Sequence, residues 1–198
     1  MDISYCIVNL NAKKYLRDCL ISIPHSTNST NYEIIIVDNN SNDGSEQFIL
    51  QKHPNIKLIV NLRNEGYTKA MNCALKKSRG NYKVILNPDT ELTTDAIDVL
   101  INHLESDKGI GIIGPKVING DGSFQKSCRR GIARPISVFS YFFGLSDRYP
   151  LNQRFTGYHL NHLDENEINE VSGVSGSCMV FRNSIIKDIG YFDERYFA

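Results

Sequence analysis

The sequence carries no excess of charge of either sign. Its 22 Lys and Arg residues equal its 22 Asp and Glu residues, so the formal net charge at pH 7 is zero. A protein that attracts nucleic acid or anionic lipid through its overall field needs a clear positive excess. The balance therefore argues against nucleic acid as a partner.

Cysteine pairs and long apolar runs are also lacking. The five cysteines are widely spread and form no CxxC or zinc-type spacing, which predicts reduced thiols rather than disulfides or zinc ligands. No window approaches the roughly 20 apolar residues of a spanning helix, and residues 1–9 lack the basic and apolar regions of a signal peptide. With 41% hydrophobic residues, the sequence predicts a globular cytoplasmic protein.

Three common ligand-binding loops are missing. The turn at residues 9–13 contains no glycine, whereas a dinucleotide site needs a Gly-rich turn after the first strand. Residues 109–116 place Pro115 where a P-loop needs lysine, and residues 173–177 lack the last glycine of a nucleophile elbow. His159 and His162 have acidic neighbours but no third ligand at a metal-binding spacing, so we expect a polar loop there.

The first half of the chain alternates regularly between strands and helices. Continuous apolar runs predict strands at residues 3–8, 33–37, 56–60, 82–86 and 110–113. Helical spacing separates them, as in residues 67–78 and in residues 94–104, where Thr93 or Thr94 is the expected N-cap. Apolar strands separated by helices predict an α/β fold, with a mostly parallel sheet and helices on both faces.

The pattern changes after Gly114. Residues 116–125 predict a hairpin that turns at residues 119–122, and residues 171–181 predict a further strand. We expect one domain overall with two parts, an α/β part over residues 1–114 and a smaller mixed part over residues 115–198. Because the last residues are aromatic and no polar tail follows them, we also expect the chain to be truncated at its C-terminus.

Polar side chains follow three of the predicted strands. Asn9 and Asn11 follow the first, Asp38 follows the second, and the sequence Asn87-Pro88-Asp89 follows the fourth. In a parallel sheet these strand ends meet at one edge, which is where α/β proteins bind ligands. Asn and Asp are also ordinary turn residues, so each one alone is equally consistent with a turn. Three such groups at one edge favour a ligand cleft.

In order and spacing, these motifs resemble the inverting nucleotide-sugar glycosyltransferases of family 2, which have the GT-A fold. The similarity is greatest to bacterial rhamnosyltransferase-like enzymes of surface polysaccharide synthesis. It extends over almost the whole chain and is carried by the following segments: residues 7–11 (IVNLN), 36–45 (IVDNNSNDGS), 64–72 (NEGYTKAMN), 86–90 (LNPDT), 114–116 (GPK), 128–130 (CRR), 175–179 (SGSCM) and 190–194 (GYFDE).

The resemblance implies a donor pocket in residues 1–114 and an acceptor side in residues 115–198. Asp38 would accept a hydrogen bond from N3–H of uracil or thymine, because a carboxylate suits an imide donor. The other residues implied at the nucleotide are Asn9, Asn11, Asn40, Asn64, Gly66 and Asp89.

The resemblance also implies a divalent metal, Mg²⁺ or Mn²⁺. Asp89 matches the family's acidic metal-binding motif, but Asn87 replaces the first of its two usual aspartates. One carboxylate together with diphosphate oxygens still suits a hard cation. The departure predicts metal binding that depends on the donor.

The implied reaction is direct displacement at the anomeric carbon, with a carboxylate base at the acceptor hydroxyl. The family's base lies in an acidic pair shortly after the segment at residues 190–194, so we expect it beyond Ala198, and Asp193 is a weak candidate within the chain. Arg129 and Arg130 are weak candidates for contact with acceptor or phosphate, and a solvated basic pair is an equally good interpretation.

The expected partners are a UDP- or dTDP-sugar donor and a glycan or lipid-linked glycan acceptor. Residues 136–145 are the most apolar segment and suggest peripheral contact with the inner face of the membrane, although burial in the core is the simpler interpretation. A nucleotide-sugar-binding module without catalysis remains an alternative, natural or by truncation. A nucleotidyltransferase is a third, disfavoured by the missing glycine at residues 9–13. The sugar, acceptor, linkage and oligomeric state stay undetermined at this stage.

Overall fold

The structure, a computed structural model, describes residues 2–149 and 151–197, with the side chain of Asp147 left aside. Eight strands are present in these residues: β1 Ile3–Asn9, β2 Tyr32–Asp38, β3 Lys57–Val60, β4 Tyr82–Leu86, β5 Ile112–Ile113, β6 Arg129–Arg130, β7 Gly173–Val174 and β8 Cys178–Arg182. The α-helices there are α1 Lys13–Ser22, α2 Ser45–Lys52, α3 Tyr67–Lys77, α4 Ala96–Ser106, α5 Pro135–Phe142, α6 Leu145–Arg148, α7 Gln153–Thr156 and α8 Ile185–Ile189.

Six strands form one mostly parallel sheet in the order β3-β2-β1-β4-β8-β5. The strands from β3 to β4 pair in parallel, and Asn9 at the end of β1 is in register with Asp38 at the end of β2. Strand β8 then lies antiparallel between β4 and β5. The predicted α/β fold with a mostly parallel sheet is therefore confirmed.

Each face of the sheet is covered by a separate apolar cluster. All seven residues of β1 are buried, and alternate residues of the strand contribute to opposite faces. One cluster joins the sheet to α1, α2 and α4, and the other joins it to α3 and α8. Burial on both faces explains why the strands are apolar at nearly every position.

Helix α4 begins without the predicted threonine cap. Its N-cap residue is Asp95, in the left-handed region with φ 57°, and no side chain caps the helix. Instead, the N–H of Asp95 donates to the carbonyl oxygen of His25 at 3.0 Å, and the N–H of Ile97 donates to that of Ser26 at 2.9 Å. Both acceptors lie in the segment after α1. The prediction of a threonine N-cap was wrong because the carbonyl groups that accept these bonds are distant in sequence from α4.

The chain forms two compact units, one of residues 1–113 and 176–198 and one of residues 114–175. The first holds the six-stranded sheet. The second holds short elements: the hairpin predicted at residues 116–125, closed by a bridge between Ile118 and Phe124, the β6–β7 pair, and helices α5 to α7. Residues 176–198, placed with the second part from the sequence, return to the first unit as β8 and α8.

None of the helices formed by residues 2–149 and 151–197 has both the length and the apolar character needed to cross a bilayer.

Candidate functional site: the carboxyl edge of the sheet

Asn9 and Asp38 contact each other where β1 and β2 end. Asn9 Nδ2 donates to Asp38 Oδ2 at 2.7 Å, and the N–H of Ser41 donates to Asp38 Oδ1 at 2.8 Å. Asp38 is 1% exposed, so these bonds hold its carboxylate in place. Asn9 Oδ1 is buried and has no hydrogen-bond partner among the described residues. A buried acceptor of this kind is one that a ligand N–H or a water can satisfy.

Asn11 links the loops that follow β1 and β2. It adopts φ 52°, and its N–H donates to Ser41 Oγ at 2.9 Å. Its Oδ1 accepts the N–H of Asn42 at 2.8 Å. Asn40 lies between these contacts with φ 71° and is exposed. The two loops are therefore tied together beside the Asn9–Asp38 pair.

Asn39 joins the same edge to the loop before α3. It is 2% exposed, and its Nδ2 donates to Asn64 Oδ1 at 2.8 Å and to the carbonyl oxygen of Gly66 at 3.2 Å. Its Oδ1 accepts Asn61 Nδ2 at 2.9 Å and the N–H of Glu65 at 3.0 Å. All of its amide groups are thus engaged.

Sequence reasoning missed Asn39 and Ser41 as organising residues. Both stand in the polar run after Asp38, where composition alone predicts solvent-exposed turn residues. The one available signal of an organising role was the length of that polar run, because a short β–α connection needs few asparagines. Their role becomes visible only through partners in other loops.

Gly66 permits close contact with the segment after α8. It has φ 84° and ψ 163°, a region that only glycine adopts easily. A Cβ at this position would overlap the carbonyl oxygen of Phe197, which accepts the N–H of Tyr67 at 2.7 Å. Thr68 Oγ1 donates to the carbonyl oxygen of Tyr196 in the same contact. The start of α3 is therefore covered by residues 196–197.

Asp89 lies after β4, at the same edge of the sheet as Asn9 and Asp38, and it is exposed. Its loop is fixed by the N–H of Asn87, which donates to the carbonyl oxygen of Ser177 at 3.0 Å. Within residues 2–149 and 151–197, no group of three or more His, Cys, Asp or Glu side chains could hold a metal ion. One exposed carboxylate fits a cation only if a ligand supplies the remaining oxygens.

Two acidic residues near this edge are held by hydrogen bonds. Burial alone would raise the pKa of Asp43, but hydrogen bonds from Ser45 and from the N–H of Lys13 outweigh it and lower that pKa. Hydrogen bonds from Arg63 and Lys69 lower the pKa of Glu65 to about 2. Both carboxylates stay ionised at neutral pH and fix the loops that carry Asn11 and Asn64.

Asp193 is paired within its own segment. Its carboxylate accepts Arg195 Nε at 2.9 Å, and Arg195 Nη2 donates to the other oxygen at 2.5 Å. These bonds lower the pKa of Asp193, which makes it a weaker base at neutral pH. Its neighbour Glu194 accepts a hydrogen bond from Asn72 Nδ2 at 3.0 Å.

Arg129 and Arg130 lie in β6 of the second unit. The Arg129 guanidinium donates to the carbonyl oxygens of Leu160, Leu163 and Asp164 at 3.2, 2.6 and 3.0 Å. Arg130 stacks over the Tyr158 ring at 5.2 Å from its centroid. Contact of these arginines with acceptor or phosphate stays a prediction, and Arg129 already has an internal role in holding residues 160–164.

The strand order places this edge where open α/β sheets bind ligands. Strand β2 lies on one side of β1 and β4 lies on the other, so the chain changes direction along the sheet at β1. Ligands of open α/β sheets bind in the crevice that this reversal creates. Asn9 and Asp38 offer amide and carboxylate acceptors on one side of it, and Asp89 offers a hard oxygen ligand on the other. The set suits a nucleobase and a phosphate–metal group.

Comparison with known proteins agrees with this arrangement. The family described as Glycosyl transferase family 2 matches residues 4–190. An N-acetylglucosaminyl-diphospho-decaprenol L-rhamnosyltransferase of Mycobacterium tuberculosis is 30% identical over 176 residues, covering 83% of this chain and 56% of that protein. A low-salt glycan biosynthesis hexosyltransferase of Haloferax volcanii is 25% identical over 200 residues, covering 99% of this chain and 57% of that protein. The chain thus spans little more than half the length of these relatives.

Solved structures show the same fold. Residues 1–349 of S. aureus TarS in complex with UDP match with a TM-score of 0.66 and 18% identity, covering 100% of this chain and 52% of that one. The mannosyltransferase PcManGT of Pyrobaculum calidifontis, solved with GDP-Man and Mn²⁺, matches with a TM-score of 0.59 and 16% identity, covering 97% and 47%. The predicted GT-A fold is confirmed. With the family match over residues 4–190, the chain belongs to glycosyl transferase family 2.

Proposed function

We propose that this chain binds a UDP- or dTDP-sugar and belongs to an enzyme that transfers the sugar, with inversion, to a glycan or lipid-linked glycan of a bacterial surface polysaccharide. The observation that carries the proposal is the Asn9–Asp38 pair at the point where the sheet order reverses. The 30% identical rhamnosyltransferase, which by name acts on a lipid-linked diphosphate sugar, supports the acceptor class and a rhamnosyl donor.

The base recognition rests on Asp38 and Asn9. The N3–H of uracil or thymine is a donor, and both partners in the pair carry acceptor oxygens at the buried ends of β1 and β2. Asp38 Oδ1 and Oδ2 each accept one internal bond, which leaves each oxygen a further lone pair. Adenine has no ring N–H donor on the corresponding edge, so we expect uridine and thymidine nucleotides to be preferred over adenosine nucleotides. Guanine also carries a ring N–H donor, at N1, and GDP tests that base directly.

The sugar-transfer step is a single displacement. The acceptor hydroxyl attacks the anomeric carbon while a carboxylate takes its proton, and the bond to the nucleoside diphosphate breaks with inversion. Asp89 would hold a divalent cation together with the diphosphate, and that cation, when bound, would neutralise charge at the leaving group. The ion pair with Arg195 makes Asp193 a poor base, so we do not assign the general base to it.

Calorimetry with UDP, dTDP and GDP tests the donor site. We expect UDP or dTDP to bind the chain and Asp38→Ala to lose about 1.5–3 kcal/mol of binding free energy, the cost of a charged hydrogen bond. Asp38→Asn keeps the shape and removes the charge, which separates recognition from local folding. Asp18→Ala, an exposed aspartate in α1, is the matched control. Equal affinity of Asp38→Asn and the unsubstituted protein would remove Asp38 from the base pocket.

Calorimetry with Mn²⁺ tests the metal ligand separately. We expect Mn²⁺ to bind the chain together with UDP and only weakly alone, because one carboxylate gives too few ligands. Asp89→Ala should abolish the gain that UDP gives, and Glu91→Ala in the same loop should leave it unchanged. Tight Mn²⁺ binding without UDP, or an undiminished gain in Asp89→Ala, would contradict the assignment.

The non-catalytic alternative stays distinguishable by experiment. A nucleotide-sugar-binding module would show the same calorimetry, but a protein containing this chain would neither release UDP from a donor nor extend an acceptor. Sugar transfer by a protein containing this chain would decide in favour of the enzyme.

A further inference from the structure

Helix α5 of the second unit buries polar side chains and exposes apolar ones, the reverse of what is usual for a helix in a globular protein. Its buried residues are two serines, Ser137 at 3% and Ser140 at 0% exposure. Its large apolar residues point outward: Ile136 and Phe139 are each 51% exposed, and Phe142 is 76% exposed. A helix packed on a core normally shows the reverse.

The serines are buried because they are small and because the helix satisfies their hydroxyls. Ser137 Oγ donates to the carbonyl oxygen of Arg134 at 2.9 Å, and Ser140 Oγ donates to that of Ile136 at 2.6 Å. Helix α5 packs on α7, and Gly157 follows α7 close to Ser137. The tight contact between α5 and α7 accounts for the buried serine face. Of the aromatic residues of α5, Tyr141 packs within the unit, on the rings of Tyr158 and His159.

The outward side chains form one aromatic surface, which we define as Ile136, Phe139, Phe142 and Phe143. The rings of Phe139 and Phe143 stack with centroids 4.1 Å apart, and Phe143 is 67% exposed. Further along the same unit, Tyr149 is 48% and Leu151 is 85% exposed. Apolar side chains grouped in this way mark a surface that another phase or molecule covers.

The charge around the aromatic surface identifies what covers it. Residues 126–154 contain six basic residues against one acidic residue, in a chain whose net charge is zero. Three of the arginines, Arg134, Arg148 and Arg154, are exposed. Arg134 directly precedes α5, and Arg148 and Arg154 lie in α6 and α7, which both contact α5. Exposed aromatic side chains and exposed arginines on one group of helices match the interface of a bilayer with anionic headgroups, where rings enter the acyl boundary and guanidinium groups bind phosphate.

We propose that the aromatic surface docks the second unit onto the surface of an anionic lipid bilayer. Ile136, Phe139, Phe142 and Phe143 enter the headgroup region, and Arg134, Arg148 and Arg154 bind lipid phosphates. The purpose of this docking rests on the proposed function, since a lipid-linked acceptor is held at the membrane. The docking itself does not depend on which sugar is transferred.

Vesicle co-sedimentation of the 198-residue chain tests the proposal. Vesicles of phosphatidylcholine with phosphatidylglycerol should bind the chain, and vesicles of phosphatidylcholine alone should bind it at least about fivefold more weakly. Phe139→Ser with Phe142→Ser should lower the partition coefficient about tenfold or more, because two rings no longer enter the interface. Ile21→Ser with Val99→Ser removes exposed apolar residues of the first unit and should leave binding unchanged.

Charge-reversal variants and a salt series separate the electrostatic contribution to vesicle binding from the apolar one. Arg148→Glu with Arg154→Glu should reduce binding to phosphatidylglycerol vesicles by about tenfold or more and remove most of its salt dependence. Since these residues and the phenylalanines are exposed, circular dichroism and thermal melting should be unchanged in every variant.

Three results would overturn the proposal. They are no binding of the unsubstituted chain to phosphatidylglycerol vesicles, undiminished binding of the phenylalanine variant, or a concentration-dependent dimer that the phenylalanine variant abolishes. Calorimetry with UDP on the same samples shows whether the donor site is intact. Lost vesicle binding with retained UDP binding therefore separates a failure of this proposal from a failure of the proposed function.

Discussion

Helices α3 and α5 bury opposite kinds of side chain. In α3 the buried residues include Ala70, Met71, Ala74 and Leu75, while its lysines face solvent. In α5 the two buried residues are serines, and phenylalanines face solvent. The first helix gains its stability from apolar burial against the sheet, whereas the second leaves that free energy available for a contact outside the unit.

The carboxyl edge of the sheet shows the opposite departure, because it buries polar side chains. There Asn9, Asp38 and Asn39 are almost fully buried. Asn9 is hydrogen-bonded to Asp38, and Asn39 is hydrogen-bonded to Asn64 in the loop before α3. Buried polar residues at this edge and exposed apolar residues on α5 both depart from the usual distribution. The first departure costs stability if its hydrogen bonds are broken, and the second should cost almost nothing.

The largest effect is expected at Gly66. Gly66→Ala places a Cβ against the carbonyl oxygen of Phe197 and forces alanine into a backbone region that glycine alone adopts easily. We expect the free energy of unfolding to fall by about 4 kcal/mol, from strain and overpacking together. Urea denaturation measures it. Gly44→Ala is also at positive φ, but its Cβ would meet only the ends of two flexible side chains, Lys13 Nζ at 3.1 Å and Gln47 Oε1 at 3.7 Å, so this change should cost about 1 kcal/mol. Equal costs would mean that residues 196–197 do not pack on Gly66.

Asn39→Ala should rank second. The change leaves two donors and two acceptors of other groups without their buried partner, so we expect a loss of about 3 kcal/mol in the free energy of unfolding. Thermal unfolding followed by circular dichroism measures the change. Asn42→Ala, an exposed asparagine of the same loop, should cost less than about 0.5 kcal/mol. A loss below about 1 kcal/mol for Asn39→Ala would show that water replaces its partners.

Replacing Lys83 should raise the free energy of unfolding, by less than the preceding two substitutions lower it. Its side chain is fully buried on β4, and its Nζ has no hydrogen-bond partner among the described residues. Burial lowers the pKa of Lys83 below its ordinary value of 10.5, although the electrostatic interactions with Cys6 and Glu33 act in the other direction. Lys83→Met should therefore raise the free energy of unfolding at pH 7 by about 1–2 kcal/mol.

The pH dependence identifies the cause of that gain. Between the lowered pKa of folded Lys83 and 10.5, the unfolded chain binds more protons than the folded chain, so stability rises with pH in this window. The advantage of Lys83→Met should shrink as the pH approaches 10.5. Lys187→Met on the exposed side of α8 is the control and should show no such trend. An advantage that does not change with pH would assign the gain to packing instead of charge.

The smallest effect is expected for Phe142. Because the side chain is 76% exposed, Phe142→Ser should change the free energy of unfolding by less than about 0.5 kcal/mol. Phe181→Ser, which replaces a phenylalanine at 5% exposure in β8, should cost about 3–5 kcal/mol. Guanidinium denaturation of the two variants compares them directly. A large loss in Phe142→Ser would mean that α5 needs its aromatic residues for folding.

Most of the sheet was predictable because its signal is local. Buried parallel strands are apolar along their whole length, and helices of regular spacing separate them, so the first four strands appear in the sequence within one or two residues of their bounds. The position of β8 between β4 and β5 was not predictable. Pairing of residues about 95 apart, such as Val84 with Val180, leaves no periodic trace in either segment.

The candidate site was predictable in outline for a similar reason. The polar residues that follow the strands mark the carboxyl edge, and the structure brings Asn9 and Asp38 into direct contact there. The roles of Asn39 and Ser41 depend on partners in two other loops, which no single segment specifies. The nucleotide, metal and acceptor roles of the named residues stay predictions.

The sequence by itself determined the class of fold, the family and the polar edge of the sheet, because each is encoded by the order of residues within short segments. Only the tertiary structure decided which polar groups are buried together, that α5 exposes its phenylalanines, and that residues 196–197 cover Gly66. The physical reason is that burial and hydrogen bonding belong to pairs of segments. Whether an apolar residue packs inward or faces solvent depends on what the rest of the chain places against it.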